Sequence, residues 1–238
     1  MTINVQKASI TTAKLKILVY GEPGVGKTVF ASTFPKPLIL DVEGGTLSIA
    51  DKDVDIVKIK SSNDLWQAYE YLAFEKHPYQ SVVVDSLTEA QQVDLNDVIE
   101  KAKMRDPGKD INHATQDDYG RNTRSIRRLC HSLRNLDLHV LFTCLVRKDV
   151  AESGDILHSP QLPPALANFV GGFVDIIGYF YTKPANEEDK PAIRRLLLNP
   201  LPNYVAKDRS GGKLGTYIEN PTFQIIWDKL TKQKEGGK

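Results

Sequence analysis

The segment GEPGVGKT at residues 21–28 has the composition and spacing of a loop that binds phosphate groups. Gly21 and Gly26 let the backbone turn so that its N–H groups point inward. In this G-x-x-x-x-G-K-S/T pattern, Lys27 reaches the β- and γ-phosphates of a nucleotide and Thr28 binds Mg²⁺ through its hydroxyl. We therefore predict a site for ATP and Mg²⁺. The predicted nucleotide contacts come from Gly21, Glu22, Pro23, Gly24, Val25, Gly26, Lys27, Thr28 and Val29.

Two acidic residues that follow other apolar runs complete the predicted site. Asp85 ends SVVVD (81–85), where a carboxylate can hold Mg²⁺ through water beside Thr28, or begin the helix that follows. Glu43 lies just past PLILD (37–41), where an acid can orient and deprotonate a water near the γ-phosphate. Asp41 is the alternative for that role. The predicted reaction is ATP hydrolysis by in-line attack of water.

A third polar position follows the apolar run HVLFTC (139–144). Thr143 and Cys144 end this run, and we expect the Thr143 hydroxyl to sense the γ-phosphate. The presence or absence of the γ-phosphate would then be transmitted to the segment that follows.

The elements that position these residues are short apolar runs alternating with helical patterns. Continuous runs of Val, Ile and Leu bounded by turn residues are typical of strands buried on both faces, and alternation with helices implies a parallel sheet. We predict an α/β fold with a mostly parallel central sheet and helices on both faces. Further strands are expected in AIRRLLLN and near Tyr204, with a last helix near 223–230. The stretches 104–118 and 146–164 are predicted to be long irregular loops.

Composition narrows the class of protein. The 238 residues include 31 Lys and Arg against 30 Asp and Glu, which argues against a strongly basic coat for nucleic acid but does not exclude a local basic strip. Cys130 and Cys144 lie in apolar contexts and predict neither a disulfide framework nor a zinc site. No stretch approaches the roughly 18 apolar residues of a membrane span. We expect a cytoplasmic protein with no membrane partner.

Several classes of P-loop protein are disfavoured by the rest of the chain. LVRKDV does not supply the base-reading motif of a guanine nucleotide switch. The Arg-rich segment 121–134 is predicted to be a helix rather than the lid of a small-molecule kinase. A AAA+ machine normally ends in a helical lid domain, whereas this chain ends in strand-like segments.

Four segments in order, GEPGVGKT, LILDVEGG, SVVVDSLTEA and HVLFTCLVR, resemble the RecA-type core. More narrowly, FPKPLILDVEGG, DDYG near Tyr119 and KDRSG near Arg209 resemble phage-encoded RecA-core ATPases, a family of phage nucleotide-binding proteins that includes single-strand-annealing recombinases. The resemblance covers about residues 14–230 as one ATPase core, between an N-terminal segment (1–13) and a tail (231–238) expected to be disordered. It places the catalytic glutamate at Glu43. RecA itself has a glutamine where Thr143-Cys144 stands, and its separate terminal domains are absent.

The resemblance implies self-association, with subunits that stack around ATP in a ring or a helical filament. Lys207 and Arg209, in the charged turn YVAKDRSGG, are candidates to reach the γ-phosphate of a neighbouring subunit. Arg147 and Lys148 compete for that role. The segment 1–13 is a candidate to add a strand to a neighbour's sheet.

Single-stranded DNA is the partner that the resemblance implies. Arg147 and Lys148 are candidates to hold it, and basic residues at 101–109 are further candidates to track its phosphates. The spacing of Arg121, Arg124 and Arg128 predicts one helix face, which is either a DNA stripe or a solvated surface.

The favoured role is ATP-dependent binding and annealing of single-stranded DNA during phage recombination, in the host cytoplasm, with a single-strand-binding protein as a further partner. Two alternatives stay open. One is an ATP-driven switch or assembly factor without nucleic acid, and the other is a helicase or helicase loader.

Overall fold

The predicted apolar runs form the centre of a ten-stranded sheet in the computed structural model of the protein, which describes residues 9, 13–150, 154–184 and 192–231. Most of the segment 1–13 and of the tail 231–238, including their predicted interface and disorder, lie outside the described residues. The strands are β1 (Lys16–Gly21), β2 (Pro37–Asp41), β3 (Asp55–Lys58), β4 (Ser81–Asp85), β5 (His139–Val150), β6 (Ile156–Pro160), β7 (Ile176–Lys183), β8 (Ile193–Leu197), β9 (Lys207–Asp208) and β10 (Tyr217–Glu219). The α-helices are α1 (Lys27–Ala31), α2 (Ser62–Phe74), α3 (Leu87–Arg105), α4 (Gln116–Arg134), α5 (Pro164–Phe173) and α6 (Phe223–Thr231), and Thr46–Ile49 form a 3-10 turn.

The strand order confirms the predicted α/β fold. Six neighbouring strands run parallel in the order β7-β1-β5-β4-β2-β3, and β8 and β10 extend the sheet antiparallel beyond β7. Strand β5 separates β1, which leads into the glycine-rich loop, from β4, which ends in Asp85. The carboxyl ends of parallel strands meet at one edge of the sheet, so the predicted site residues converge there.

Helices cover both faces of the sheet because alternate strand residues point to opposite sides. Leu18 and Tyr20 of β1 join the core beneath α2, α3, α4 and α5. Ile17 and Val19 pack on the other side with Phe30 of α1 and with α6. Among the described residues, no helix combines the length and the apolar character that a membrane crossing needs.

The predicted loop 146–164 is wrong over most of its length. Strand β5 continues to Val150, β6 returns antiparallel to it, and α5 begins at Pro164. Thr143 and Cys144 therefore lie inside a strand rather than at its end. The charged residues after Leu145 hid this extension, because the outer part of the hairpin is exposed and lacks the apolar run of a buried strand.

The predicted loop 104–118 is shorter than expected. Helix α3 continues to Arg105, and α4 begins at Gln116. Thr115 and Asp118 form a capping box: the Thr115 hydroxyl accepts from the Asp118 N–H at 3.3 Å, and the Asp118 carboxylate accepts from the Thr115 N–H at 2.8 Å. The same pair ends the irregular stretch, since a capping box fixes the first turn of a helix.

Candidate active site

The glycine-rich loop joins β1 to α1 at the carboxyl edge of the sheet. A Cβ on Gly21 would overlap the carbonyl oxygen of Phe180 in the adjacent strand β7. Gly26 has a left-handed φ of 105°, and a Cβ there would lie 2.7 Å from Nε of Arg194. Only glycine satisfies both positions, because it has no Cβ and adopts positive φ without strain. The sequence motif is therefore a requirement of the local backbone.

Lys27 lies inside this loop. Its Nζ donates to the carbonyl oxygen of Gly21 at 3.0 Å and to that of Glu22 at 2.9 Å. Burial lowers the pKa of Lys27, and the nearby carboxylates of Glu43 and Asp85 oppose that shift. The Lys27 ammonium group is thus positioned among the loop carbonyls, with two acids close enough to affect its charge.

Thr28, Asp85 and Thr143 form one hydrogen-bonded group across the sheet edge. The Thr28 hydroxyl donates to Oδ2 of Asp85 at 2.7 Å, and the Thr143 hydroxyl donates to Oδ1 of Asp85 at 2.5 Å. Asp85 is 2 % exposed and Thr143 is fully buried. Two hydroxyl donors fix the orientation of the carboxylate, so Thr143 acts directly on Asp85. Its predicted sensing of the γ-phosphate stays a prediction.

Cys144, the neighbour of Thr143, lies in the core cluster on the face of the sheet that α2, α3, α4 and α5 cover. Burial raises the pKa of its thiol to about 12. The thiol is therefore protonated at neutral pH and packs as a small apolar side chain.

The two candidate bases, Asp41 and Glu43, lie at the turn after β2 and differ in their exposure to water. The backbone N–H groups of Val42 and Glu43 donate to the carbonyl oxygen of Asp85 at 2.8 and 3.2 Å, which holds this turn against β4. The Asp41 carboxylate is buried and accepts from the N–H of Gly44 at 2.8 Å. The Glu43 side chain is exposed and makes no hydrogen bond or ion pair with any described residue. Glu43 is therefore the acid that is accessible to water.

The oxygen groups at this site are suitable ligands for a magnesium ion that binds together with a nucleotide. Within the described part of the chain, no three His, Cys, Asp or Glu side chains converge on a metal site. Mg²⁺ in phosphate-transfer sites is held by one or two protein groups together with phosphates and waters. The Thr28 hydroxyl and the Asp85 carboxylate, 2.7 Å apart, are a suitable pair of oxygen ligands.

Arg194 in β8 is a site residue that the sequence interpretation did not identify. Its guanidinium lies against Gly26, and a pocket of about 330 Å³ opens beside it. Arg195 points to the other face of the sheet, where it binds Glu219 at 2.5 Å and lies over the Tyr217 ring. The strand alternation in AIRRLLLN predicts that these two arginines point apart, but only the strand order places β8 beside the loop. The pocket is lined by Gly26, Val29, Phe30, Thr33, Phe180, Arg194, Asn220, Pro221 and Thr222.

Lys207 and Arg209 lie far from the loop in their own chain. Strand β9 pairs with the first residues of β7. Both side chains therefore lie near the amino-terminal end of β7, whereas the loop lies near its carboxyl end. Lys207 Nζ donates to the carbonyl oxygen of Gly171 at 2.6 Å, and Arg209 Nη2 donates to that of Gly172 at 2.5 Å. Both side chains therefore donate hydrogen bonds to carbonyl groups at the carboxyl end of α5.

The two residues predicted to hold DNA are engaged within the hairpin of β5 and β6. Arg147 binds Asp149 at 2.8 Å and also donates to the carbonyl oxygen of Leu162. Lys148 forms an ion pair with Glu22 of the glycine-rich loop. The hairpin is thus tied to the nucleotide site, and neither cation is without a partner in this structure.

Comparison with known proteins places this site in a family. Residues 13–210 match the model of a family described as AAA domain. No curated protein sequence matches the chain. Helicases and nucleotide switches alike use P-loops, so the family match is more informative than the motif alone.

The chain is also similar to several solved structures at low sequence identity. One solved ATPase domain is 14% identical with a TM-score of 0.50, covering 90% of this chain and 83% of its own. A KaiC-like protein, PH0186 from Pyrococcus horikoshii OT3, is 14% identical with a TM-score of 0.43, covering 77% of both chains. A DnaB-like replicative helicase is 14% identical with a TM-score of 0.47, covering 82% of this chain and 52% of its own.

The family match spans most of the chain, from just before β1 to just beyond β9. It does not test the expectation against a AAA+ machine, which concerned a helical lid domain. The chain belongs to this family of AAA domains, and its fold is that of a RecA-like P-loop ATPase.

Proposed function

We propose that the protein binds ATP with Mg²⁺ at residues 21–28 and hydrolyses it. The observation that carries this proposal is the convergence of Lys27 and Thr28, at the start of α1, with Asp85 at the end of β4. Thr28 and Asp85 are 57 positions apart in the sequence, yet their oxygens are 2.7 Å apart at the end of the glycine-rich loop. A hydroxyl and a carboxylate so placed are the protein ligands that P-loop sites use for the ion.

Each side chain of the site has its own role in the proposed hydrolysis. Bound Mg²⁺ would supply a positive charge that offsets the charge of the phosphate oxygens. Thr28 and Asp85 would hold the ion, and Thr143 keeps the Asp85 carboxylate in one orientation. Lys27 stabilises negative charge on the transferred phosphoryl group. Glu43 accepts a proton from the attacking water, because it is the exposed acid beside Lys27 and Asp85.

The pocket beside Arg194 is the place for the base and sugar of the nucleotide. It adjoins the loop at Gly26. Phe30 and Phe180 are among its apolar lining residues. A guanidinium plane can stack on an aromatic base, and its N–H groups can also reach phosphate oxygens.

We expect Arg194→Ala to weaken ATP binding by about 5–30-fold, which corresponds to the loss of about 1–2 kcal/mol from one stacking or charge-assisted contact. Titration with a fluorescent ATP analogue measures this loss. Arg195→Ala is the matched control, since the same strand presents Arg195 on the other face. Equal losses in the two variants would contradict the assignment of the pocket.

We also propose that subunits associate head to tail around the nucleotide. A heterologous contact joins two different surfaces of the same protein. The phosphate loop lies at the carboxyl edge of the sheet, and Lys207 and Arg209 lie at the opposite edge, which suits a contact of that kind. Both residues would then stabilise α5 in their own chain as well as contact the neighbour.

The biological role that we propose is ATP-dependent action on single-stranded DNA, as in phage recombination and annealing. It is supported by the resemblance of FPKPLILDVEGG, DDYG and KDRSG to the phage-encoded RecA-core ATPases. A single-strand-binding protein is the further partner that this role implies. The alternatives make different predictions: a switch ignores DNA, and a helicase separates duplex strands.

Phosphate release with and without Mg²⁺ and an oligothymidylate tests the proposal. We expect hydrolysis that stops in excess EDTA and changes when the oligonucleotide is added. Purified protein that retains no nucleotide in the presence of Mg²⁺ would overturn the proposed function. Hydrolysis that is indifferent to DNA would favour the switch, and unwinding of a forked duplex would favour the helicase.

A further inference from the structure

Two basic stretches that are separate in the sequence meet in one groove. Helices α3 and α4 contact each other where the side-chain amide of Asn122 donates to Asp94 at 2.9 Å. A groove of about 690 Å³ lies between the same two helices. Its polar lining consists of Lys101 and Arg105 from α3, and Asp117, Arg121, Ser125 and Arg128 from α4.

This groove is positively charged although the chain is close to neutral overall. Four of its lining residues are cationic and only Asp117 is acidic, which leaves three positive charges. Asp117 binds Arg121 at 2.7 Å in an exposed pair. Neither Lys101 nor Arg105 has an acidic partner within salt-bridge distance among the described residues. An anion at this groove therefore meets cations that the fold has not already neutralised.

Four other basic residues in or between these two helices contact groups of their own chain. Lys109 binds the buried carboxylate of Asp118 at 2.6 Å, and Lys103 donates to backbone carbonyls of the loop between the helices. Arg127 and Arg134 lie over aromatic rings of α5. These four cations are thus engaged within the chain, whereas Lys101 and Arg105 have no acidic partner among the described residues.

Arg128 is held in a way that leaves its hydrogen-bonding edge accessible. Its guanidinium carbon lies 4.9 Å from the centre of the Trp66 ring. Stacking uses the face of the guanidinium, whereas phosphate oxygens bind to the N–H groups at its edge. Trp66 also supplies a partly exposed indole at this end of the groove.

We propose that this groove binds the sugar–phosphate backbone of single-stranded nucleic acid. Lys101 and Arg105 are one helical turn, about 6 Å, apart along α3, and Arg121 and Arg128 follow two turns of α4. Charges spread along two helices suit a chain of phosphates better than one compact anion. The proposal rests on the proposed action on single-stranded DNA and assigns it to this groove, where Lys101 and Arg105 lack acidic partners among the described residues. In the hairpin, by contrast, Arg147 and Lys148 are both paired with acids.

The salt dependence of binding tests the groove. For single strands, log K falls with log salt by about 0.7 per neutralised phosphate, so Lys101→Ala with Arg105→Ala should flatten the slope by about 1.4. The probe is a labelled oligothymidylate of about 20 nucleotides, longer than the roughly 4–16 that one strand-binding module covers. Fluorescence anisotropy over a range of salt concentrations gives the slope. The reversal Lys101→Glu with Arg105→Glu should abolish binding at low salt.

The control is Lys76→Ala with Lys229→Ala, two exposed lysines outside the groove, which should leave the slope unchanged. ATP hydrolysis without DNA and thermal unfolding are measured on every variant and should match the unmodified protein. Binding that is unaffected by the groove changes would overturn the inference while leaving the ATPase proposal intact. Failure of the unmodified protein to bind the oligonucleotide, or binding only to anionic vesicles, would overturn it too. Absent ATP hydrolysis with intact DNA binding would instead contradict the ATPase proposal alone.

Discussion

Replacing Lys27 with methionine should lower ATP turnover by about 100–1,000-fold or more, the range found when one preorganised charge-stabilising donor is removed. The methionine keeps most of the apolar stem of lysine and removes the ammonium group. That group lies 3.0 and 2.9 Å from the loop carbonyls of Gly21 and Glu22, at the place where a γ-phosphate would approach. Release of inorganic phosphate at saturating ATP and Mg²⁺ measures the loss.

A structural defect must be distinguished from a catalytic one, because the change also leaves two loop carbonyls without their donor. The hydrogen bond to Gly21 is buried and that to Glu22 is partly buried, so losing the donor should cost about 1–3 kcal/mol. Thermal unfolding of the methionine variant should therefore shift by about 2–4 °C for each kcal/mol lost, which leaves the protein folded in the assay. Lys148→Met is a matched control: it removes an exposed ammonium that pairs with the same Glu22, but from outside the loop. Near-normal turnover in the Lys27 variant would remove the lysine from the reaction.

The site residues that belong to one short sequence motif, or that directly follow an apolar run, could be predicted from the sequence. Residues 21–28 carry their own geometric requirement, since Gly21 must approach Phe180 and Gly26 must adopt positive φ. Asp85 follows an unbroken apolar run, and such a run predicts a strand buried on both faces. A carboxylate at the end of that strand then falls at the edge where ligands bind.

The contacts between distant segments could not be predicted in the same way. Thr143 binds Asp85 because β5 lies between β1 and β4, and strand order depends on packing of the whole sheet. Arg194 reaches Gly26 because β8 folds back beside β7 and β7 itself lies beside β1, which leads into the loop. Long-range pairings of this kind are decided by tertiary contacts, which leave little trace in local periodicity.

Charge patterns were misleading for a related reason. Basic residues at 101–109 and 121–134 look alike in the sequence, yet Lys109 is half-buried in an ion pair with Asp118 while Lys101 faces the groove. The hairpin of β5 and β6 was mistaken for an irregular loop because its outer half is charged. Which cations are available to a partner is a property of the folded surface.

The second large effect is expected from Glu43→Gln. Glutamine keeps the size and polarity of the side chain but cannot accept a proton from water, so turnover should fall by about 100–10,000-fold. Binding of ATP should remain within a few-fold of normal, because Glu43 lies on the turn after β2 and is not part of the phosphate loop. Equilibrium binding of a fluorescent analogue and single-turnover hydrolysis separate these two quantities.

Asp41→Asn provides the matched control, because the sequence alone leaves both acids as candidates for the base. The Asp41 carboxylate is buried and accepts from the N–H of Gly44 at 2.8 Å, a contact that an asparagine oxygen can also make. We therefore expect Asp41→Asn to preserve the turn and most of the turnover. Loss of hydrolysis in Asp41→Asn together with normal hydrolysis in Glu43→Gln would assign proton acceptance to the buried acid. Water would then have to reach the inner side of this turn, which is where the geometry makes its access most difficult.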